Sequence, residues 1–233
     1  VYAGGAFTTV GGQVRGYIAR LFKTTGLADS WNPDANNYVY TLVLSGSKIY
    51  AGGLFTVIGG QARNRIAELS VPGGAAVAWD PNADNAVYVL SQSGTSIFAG
   101  GPFASIGGKS RNRIAALDAS TGALADWNPN SNARVDAIVV SGGRVYAGGS
   151  FTNIGNASRN YIAALDSAGH ATTWNPSANN AVLVLLLNGS IVYAGGVFTS
   201  IGGKARNYVA AIDSSASGPA TAWDPNANDV VRA

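Results

Sequence analysis

The stretch IYAGGLFTVIGGQARNRIAEL, from Ile49 to Leu69, decides how the rest of the chain is read. A β-branched and aromatic segment runs into Gly52-Gly53, passes Phe55 and Gly59-Gly60, and reaches Arg63-Asn64 and a second apolar segment. Glycines ahead of a basic residue build phosphate cradles, and they equally build the turns of a sheet protein. The stretch lacks the Lys-Ser/Thr ending of a phosphate loop and leads into no helix, so the turn reading prevails.

Recurrence settles its architecture. The doublet returns at Gly4-Gly5, Gly52-Gly53, Gly100-Gly101, Gly148-Gly149 and Gly195-Gly196, each time followed by a phenylalanine (Phe7, Phe55, Phe103, Phe151, Phe198). An arginine follows each at constant spacing: Arg15, Arg63, Arg111, Arg159 and Arg206. Trp31, Trp79, Trp127, Trp174 and Trp223 stand 48, 48, 47 and 49 residues apart. Five copies of one unit of about 48 residues therefore fill residues 1–233, which are read as a single domain. All length variation falls between the third and fourth strand-like runs, marking that hairpin as a surface loop.

Within one unit the runs Val39–Leu44, Lys48–Ala51, Asn64–Ser70 and Ala76–Trp79 are rich in β-branched and aromatic residues, and Gly, Pro, Asn, Asp and Ser fill the gaps. No helical periodicity is present. Four antiparallel strands per repeat of this length predict an all-β, five-bladed β-propeller of four-stranded antiparallel blades. Val1-Tyr2-Ala3 reads as a second strand lacking its first, and Asp229 to Ala233 as a first strand lacking its second. The expected ring is closed by the C-terminal strand joining the N-terminal blade, which would remove both free edges.

Composition narrows the function classes. Only 12% of the residues are charged, which excludes a disordered chain. The longest apolar run, Ala181 to Leu187, stops at Asn188-Gly189-Ser190, so no membrane insertion is expected. Without cysteine there is neither a disulfide framework nor a thiolate metal site. The chain has no methionine, even at position 1, and reads as a processed product or excised segment with any signal peptide out of view. A net charge of +3 from dispersed arginines forms no dense patch for nucleic acid.

The pattern Ile49-Tyr50-Ala51-Gly52-Gly53-x-Phe55-Thr56, then Gly59-Gly60-x-x-Arg63-Asn64-x-Ile66-Ala67 and Trp79-Asp80-Pro81-Asn82, resembles bacterial delta-60-type β-propeller repeats. Leu117-Asp118-x-x-Thr121-Gly122 ahead of Trp127 adds a kelch-like look. The resemblance implies a propeller in a secreted or surface bacterial protein, and no assigned activity.

Each recurring residue has a framework reading and a ligand reading. Arg15, Arg63, Arg111, Arg159 and Arg206 are expected to clamp neighbouring blades through carbonyls or an Asp carboxylate; otherwise they form a ring facing a polyanion. The five tryptophans are expected at inter-blade packing, with sugar-stacking platforms as the alternative. The residue after Arg-Asn varies (Tyr17 after Gly16, then Arg65, Arg113, Tyr161, Tyr208) and marks either specificity or plain exposed strand. The Asn/Asp-Pro loops have too few carboxylates for calcium and are read as Asx turns. His170, the sole histidine, falls in the variable hairpin, and no cofactor, metal site or catalytic residue is expected. The expected protein is a monomeric, non-enzymatic binding or scaffold module in the extracellular space, with a protein or glycan partner. A lectin-like glycan binder and an engineered or amplified repeat protein without a ligand are the alternatives.

Overall fold

The computed structural model describes every residue except Ala216 and Ala233. Its regular elements are strands, with no helix among the described residues. The repeats are numbered I to V by their tryptophans. In repeat II the three-stranded antiparallel sheet has the order Val39–Ser45, Lys48–Gly53, Ile66–Ser70. Repeats III, IV and V repeat it, with central strands Ser96–Gly100, Arg144–Gly149 and Ile191–Gly196. Repeat I has only Tyr2–Gly4 paired with Ile18–Arg20. The predicted strands thus appear in the predicted order, and the central and third strands of repeats II and IV are buried along nearly their whole length, as sheets packed on both faces require.

The fourth strand is shorter than expected. It is reduced to one bridge per repeat: Leu21↔Ala28, Leu69↔Ala76, Leu117↔Leu124, Leu165↔Ala171 and Ile212↔Ala220. Val77 donates its N–H to Glu68, but its carbonyl accepts from the Arg63 guanidinium, so a side chain takes the place of a further ladder bond. The outer edge is thereby capped rather than left as a template for pairing.

The Gly-containing connection after the second strand carries a small hairpin of Val57–Ile58 with Gln61–Ala62. Gly59 and Gly60 have φ of 60° and 75°, the pair of left-handed residues that a type I′ turn demands. In repeat IV the second position is Asn156 at φ 61°, the residue other than glycine best suited to that region. Gly53 has a different role: its φ is ordinary, but a Cβ there would lie 2.1 Å from the Tyr38 carbonyl oxygen.

Phe55, Phe103, Phe151 and Phe198 are fully buried between repeats, as Phe55 packs with Trp31 and Ile18 of repeat I and Ile58 and Leu69 of its own. Burial of side chains this large stabilises by about 1.5–3 kcal/mol each. The tryptophans complete the seam. Each lies edge-on to an aromatic residue of its own repeat, such as Tyr50 against Trp79 at 5.1 Å. Its indole N–H then crosses to the next repeat: Trp31 to Ser70 O, Trp79 to Asp118 O, Trp127 to Asp166 O and Trp174 to Asp213 O, at 2.8–3.0 Å.

The expected ring closure is not formed. Val231 packs against Gly195 of repeat V, but among the described residues no hydrogen bond joins residues 223–232 to repeat I. Residues 229–232 adopt no strand, and Ala233, the last residue of the expected closing strand, lies outside the described residues. Trp223 is 46% exposed, whereas Trp31 and Trp174 are 1% exposed. With repeat I not seated on it, the last repeat keeps its seam face open.

The seams differ at one position. Tyr50 donates its hydroxyl to Ala119 O at 2.6 Å across the II–III seam. At the III–IV seam the matching residue is Phe98, facing a cleft of about 280 Å³ lined also by Trp127 and Ser167. Phe98→Tyr should fill part of this cleft and bond Ser167 O. The expected result is a higher urea midpoint, on the order of 1 kcal/mol of added stability.

Candidate functional site

In each repeat a valine sits against the glycine doublet of the repeat before it. A Cβ on Gly4, Gly52, Gly100, Gly148 or Gly195 would lie 2.7–2.9 Å from Cγ1 of Val39, Val87, Val135, Val182 or Val231 respectively. This close approach sets the innermost strands side by side, and Leu90 N–H donates to Thr41 Oγ1 across the gap. Side chains alternate along a strand, so the residue after each valine points away from that contact. Those residues are Tyr40, Tyr88, Asp136, Leu183 and Arg232, and with Arg134 they line one pocket of about 410 Å³. A single cavity receives the same register position from five successive inner segments, which places it at their common axis.

The lining mixes aromatic faces with charge. Arg134 Nε donates to Asp136 Oδ2 at 3.1 Å. Burial pushes the Asp136 carboxyl above the usual aspartate range, and the Arg134 guanidinium opposes that shift. The Tyr40 phenol is raised by burial and by its neighbours Tyr88 and Tyr38. A file of edge-on rings leads inward: Tyr17 to Tyr38 at 5.5 Å, Tyr38 to Tyr40 at 6.2 Å and Tyr40 to Tyr88 at 5.3 Å. Tyr17 is the only residue of this file singled out in the sequence. The others were missed, yet their signal was there: aligned repeat on repeat, the residue after the constant valine reads Tyr, Tyr, Asp, Leu, Arg.

The recurring arginines are placed differently from expectation. Each donates Nη1 to the preceding carbonyl and Nη2 to a carbonyl of the fourth segment in its own repeat: Asp29, Val77, Ala125, Thr172 and Thr221 accept from Arg15, Arg63, Arg111, Arg159 and Arg206. The clamp therefore closes within a blade and not between neighbours, because the arginine emerges beside the outer edge of its own sheet. Arg63 and Arg206 also meet Asp80 at 3.7 Å and Asp224 at 3.2 Å. All five Nε atoms are buried.

Tyr17, Arg65, Arg113, Tyr161 and Tyr208 are not plain strand. Each is a single left-handed residue with φ of 63–65°, at a cost of about 1–2 kcal/mol. The bend lets its N–H reach the phenylalanine carbonyl (Arg65 to Phe55, 2.8 Å) while its carbonyl accepts from the glycine doublet (Gly53 N–H, 2.9 Å). Of the tryptophans, Trp31, Trp79, Trp127 and Trp174 are spent on seams, with Trp127 partly open to the III–IV cleft, and Trp223 is the most exposed. His170 is exposed on its hairpin, tied by its backbone N–H to Asp166.

A family model described as a domain of unknown function (DUF5122) beta-propeller matches residues 1–26, 47–70 and 143–170, about a third of the chain. No curated protein matches the sequence. Among solved structures, the computationally designed Ika8 protein superposes with a TM-score of 0.52 at 14% identity, over 85% of this chain and 53% of that one. The designed Ika4 protein gives 0.49 at 13% identity, over 72% and 91%. The WD40 repeats of RRP9 give 0.47 at 16%, over 68% and 45%. The family model and the Ika8 superposition agree with the sheets described above: the chain is built of β-propeller repeats.

Two predictions follow the geometry. Arg63→Lys keeps the charge but cannot reach both carbonyls, and should lower the urea unfolding midpoint by about 1–3 kcal/mol of stability. For Asp136 the folded-state affinity for its proton exceeds the unfolded one, so its stabilising contribution is greatest in acid and is lost as pH rises through the shifted value. The stability of the native chain relative to Asp136→Asn should therefore fall as the pH of thermal melts is raised from below to above the ordinary aspartate range.

Proposed function

We propose that the five repeats are the blades of a five-bladed propeller that acts as a non-enzymatic binding module, and that its ligand is a loop of a protein partner seated in the axial pocket. The observation that carries this reading is the repeat-to-repeat difference of the side chains that converge on that pocket. Framework positions are held in all five copies, while the inner lining carries Tyr40, Tyr88, Asp136, Leu183 and Arg232. Tyrosine and arginine dominate the energetic centres of protein interfaces because they combine apolar area with directed hydrogen bonds. The Arg134–Asp136 pair would fix the orientation of a polar group, and the Tyr17–Tyr88 file would take an apolar or aromatic one. His170 and its hairpin are no part of the pocket. The delta-60-type resemblance supports a setting on a bacterial surface or outside the cell.

A second reading is a glycan ligand. Rings at Tyr40 and Tyr88 supply a stacking face, which the seam-bound tryptophans do not. Selection from a displayed peptide library against the native chain and against Tyr40→Ala/Tyr88→Ala, beside a glycan array, separates the two. The expected outcome is enriched peptides whose affinity falls at least about tenfold in the double variant. Peptides that bind both proteins equally would place recognition elsewhere, and array signals lost in the variant would favour the glycan.

A further inference from the structure

The aromatic residue beside each tryptophan reads Tyr2, Tyr50, Phe98, Tyr146 and Tyr193 along the repeats, a column with one departure. Tyr50 shows what the hydroxyl does there. Its ring meets Trp79 edge-on, and its O–H donates to Ala119 O of the next repeat at 2.6 Å. At the III–IV seam Phe98 keeps the edge-on contact, with Trp127 at 5.2 Å and 81°. It has no donor to offer Ser167 O, the carbonyl in the place of Ala119 O.

A second change, in repeat IV, opens the same place further. In repeats II, III and V the residue after the third strand donates its N–H to the turn between the first two strands. Val71 bonds Ser47 O, Ala119 bonds Thr95 O and Ser214 bonds Ser190 O, at 2.8–3.0 Å. The matching Ser167 and Gly143 of repeat IV do not bond each other. The hairpin from Asp166 to Trp174 is also one residue shorter than those from Ser70 to Trp79 and from Asp118 to Trp127. Ser167 and Gly143 both line the cleft of about 280 Å³ that Phe98 faces.

We propose that this cleft binds a small neutral aromatic molecule carrying a hydroxyl, a phenol, whose O–H donates to Ser167 O as Tyr50 donates to Ala119 O. The size suits it, since an apolar cavity of roughly 150 Å³ already holds a benzene ring. Phe98, Trp127, Val140 and Val145 supply an aromatic and aliphatic wall, and the Ser167 and Gly143 carbonyls call for a donor. Charge selects against an aromatic acid. Asp166 lines the cleft, and the backbone N–H of His170, with those of Ala168 and Gly169, holds its carboxyl below the usual aspartate range against the opposing effect of burial. An ionised carboxylate beside two carbonyl oxygens repels a second anion. The cleft shares no lining residue with the axial pocket, so this site stands or falls independently of the function proposed for that pocket.

An amide NMR titration of the full chain with 4-ethylphenol tests this, beside its isomer 4-methylanisole, which has no hydroxyl to donate. Saturable shifts should appear at the Ser167 and Gly143 amides, and 4-methylanisole should bind about tenfold more weakly. Phe98→Tyr places the hydroxyl of the other seams in the cleft and should abolish binding while melting no lower than the native chain. Tyr40→Ala/Tyr88→Ala should bind 4-ethylphenol as the native chain does. No saturable shift at millimolar 4-ethylphenol overturns the proposal. So does equal affinity for the two isomers, undiminished binding by a folded Phe98→Tyr, or shifts confined to the axial pocket. If Phe98→Tyr does not fold, the position of the shifts and the comparison of isomers on the native chain decide between the same outcomes.

Discussion

An indole N–H donated to a carbonyl 39 residues further along the chain is the bond on which the arrangement of repeats depends. A single three-stranded sheet of this kind has two apolar faces and cannot cover both. The tryptophan resolves that for one face at a time, filling the gap with its ring against a tyrosine or phenylalanine of its own sheet and fixing the angle to the next sheet through the indole hydrogen bond. Phenylalanines such as Phe55 then occupy the space beneath. Stability in such a chain is close to a sum of sheets and seams, so each seam matters to its two neighbours and little to the rest.

Within a blade the arrangement depends on paired oppositions. The left-handed residue at Arg65 and its equivalents is unfavourable in itself, yet it turns one N–H and one carbonyl toward the phenylalanine and the glycine doublet, and two backbone bonds offset the strain. The arginine two residues before it covers the carbonyls of the outer segment, at the cost of burying an Nε that finds no partner. These features recur five times with little change because each side chain is matched to backbone atoms, whose positions depend on the fold and not on the neighbouring side chains.

That distinction explains what was legible. Periodic Trp, Gly-Gly, Phe and Arg announce strand order, turn positions and repeat length, because those residues are selected by local backbone geometry. Gly53 and Gly59 look alike in the sequence, however, and only the structure shows that one permits a close approach and the other a positive φ. Arg63 was legible as a clamp, but its partner was not, since reaching Val77 or a neighbouring blade depends on which side of the sheet edge the chain emerges. Ring closure was inferred from strand counting, and counting does not fix the rotation from one blade to the next. The pocket went unread for the opposite reason: attention to what recurs passes over a column where the copies disagree.

That column lies one residue beyond a constant valine. Val39, Val87, Val135 and Val182 are fully buried against the glycine doublets and hold the spacing of the inner strands, whereas the next side chain lines the cavity. The surface presented at the axis can therefore be rewritten one letter per repeat without touching the frame that displays it. Duplication of a repeat copies the frame, and drift at a single codon then supplies a new chemical group at a place already prepared for it.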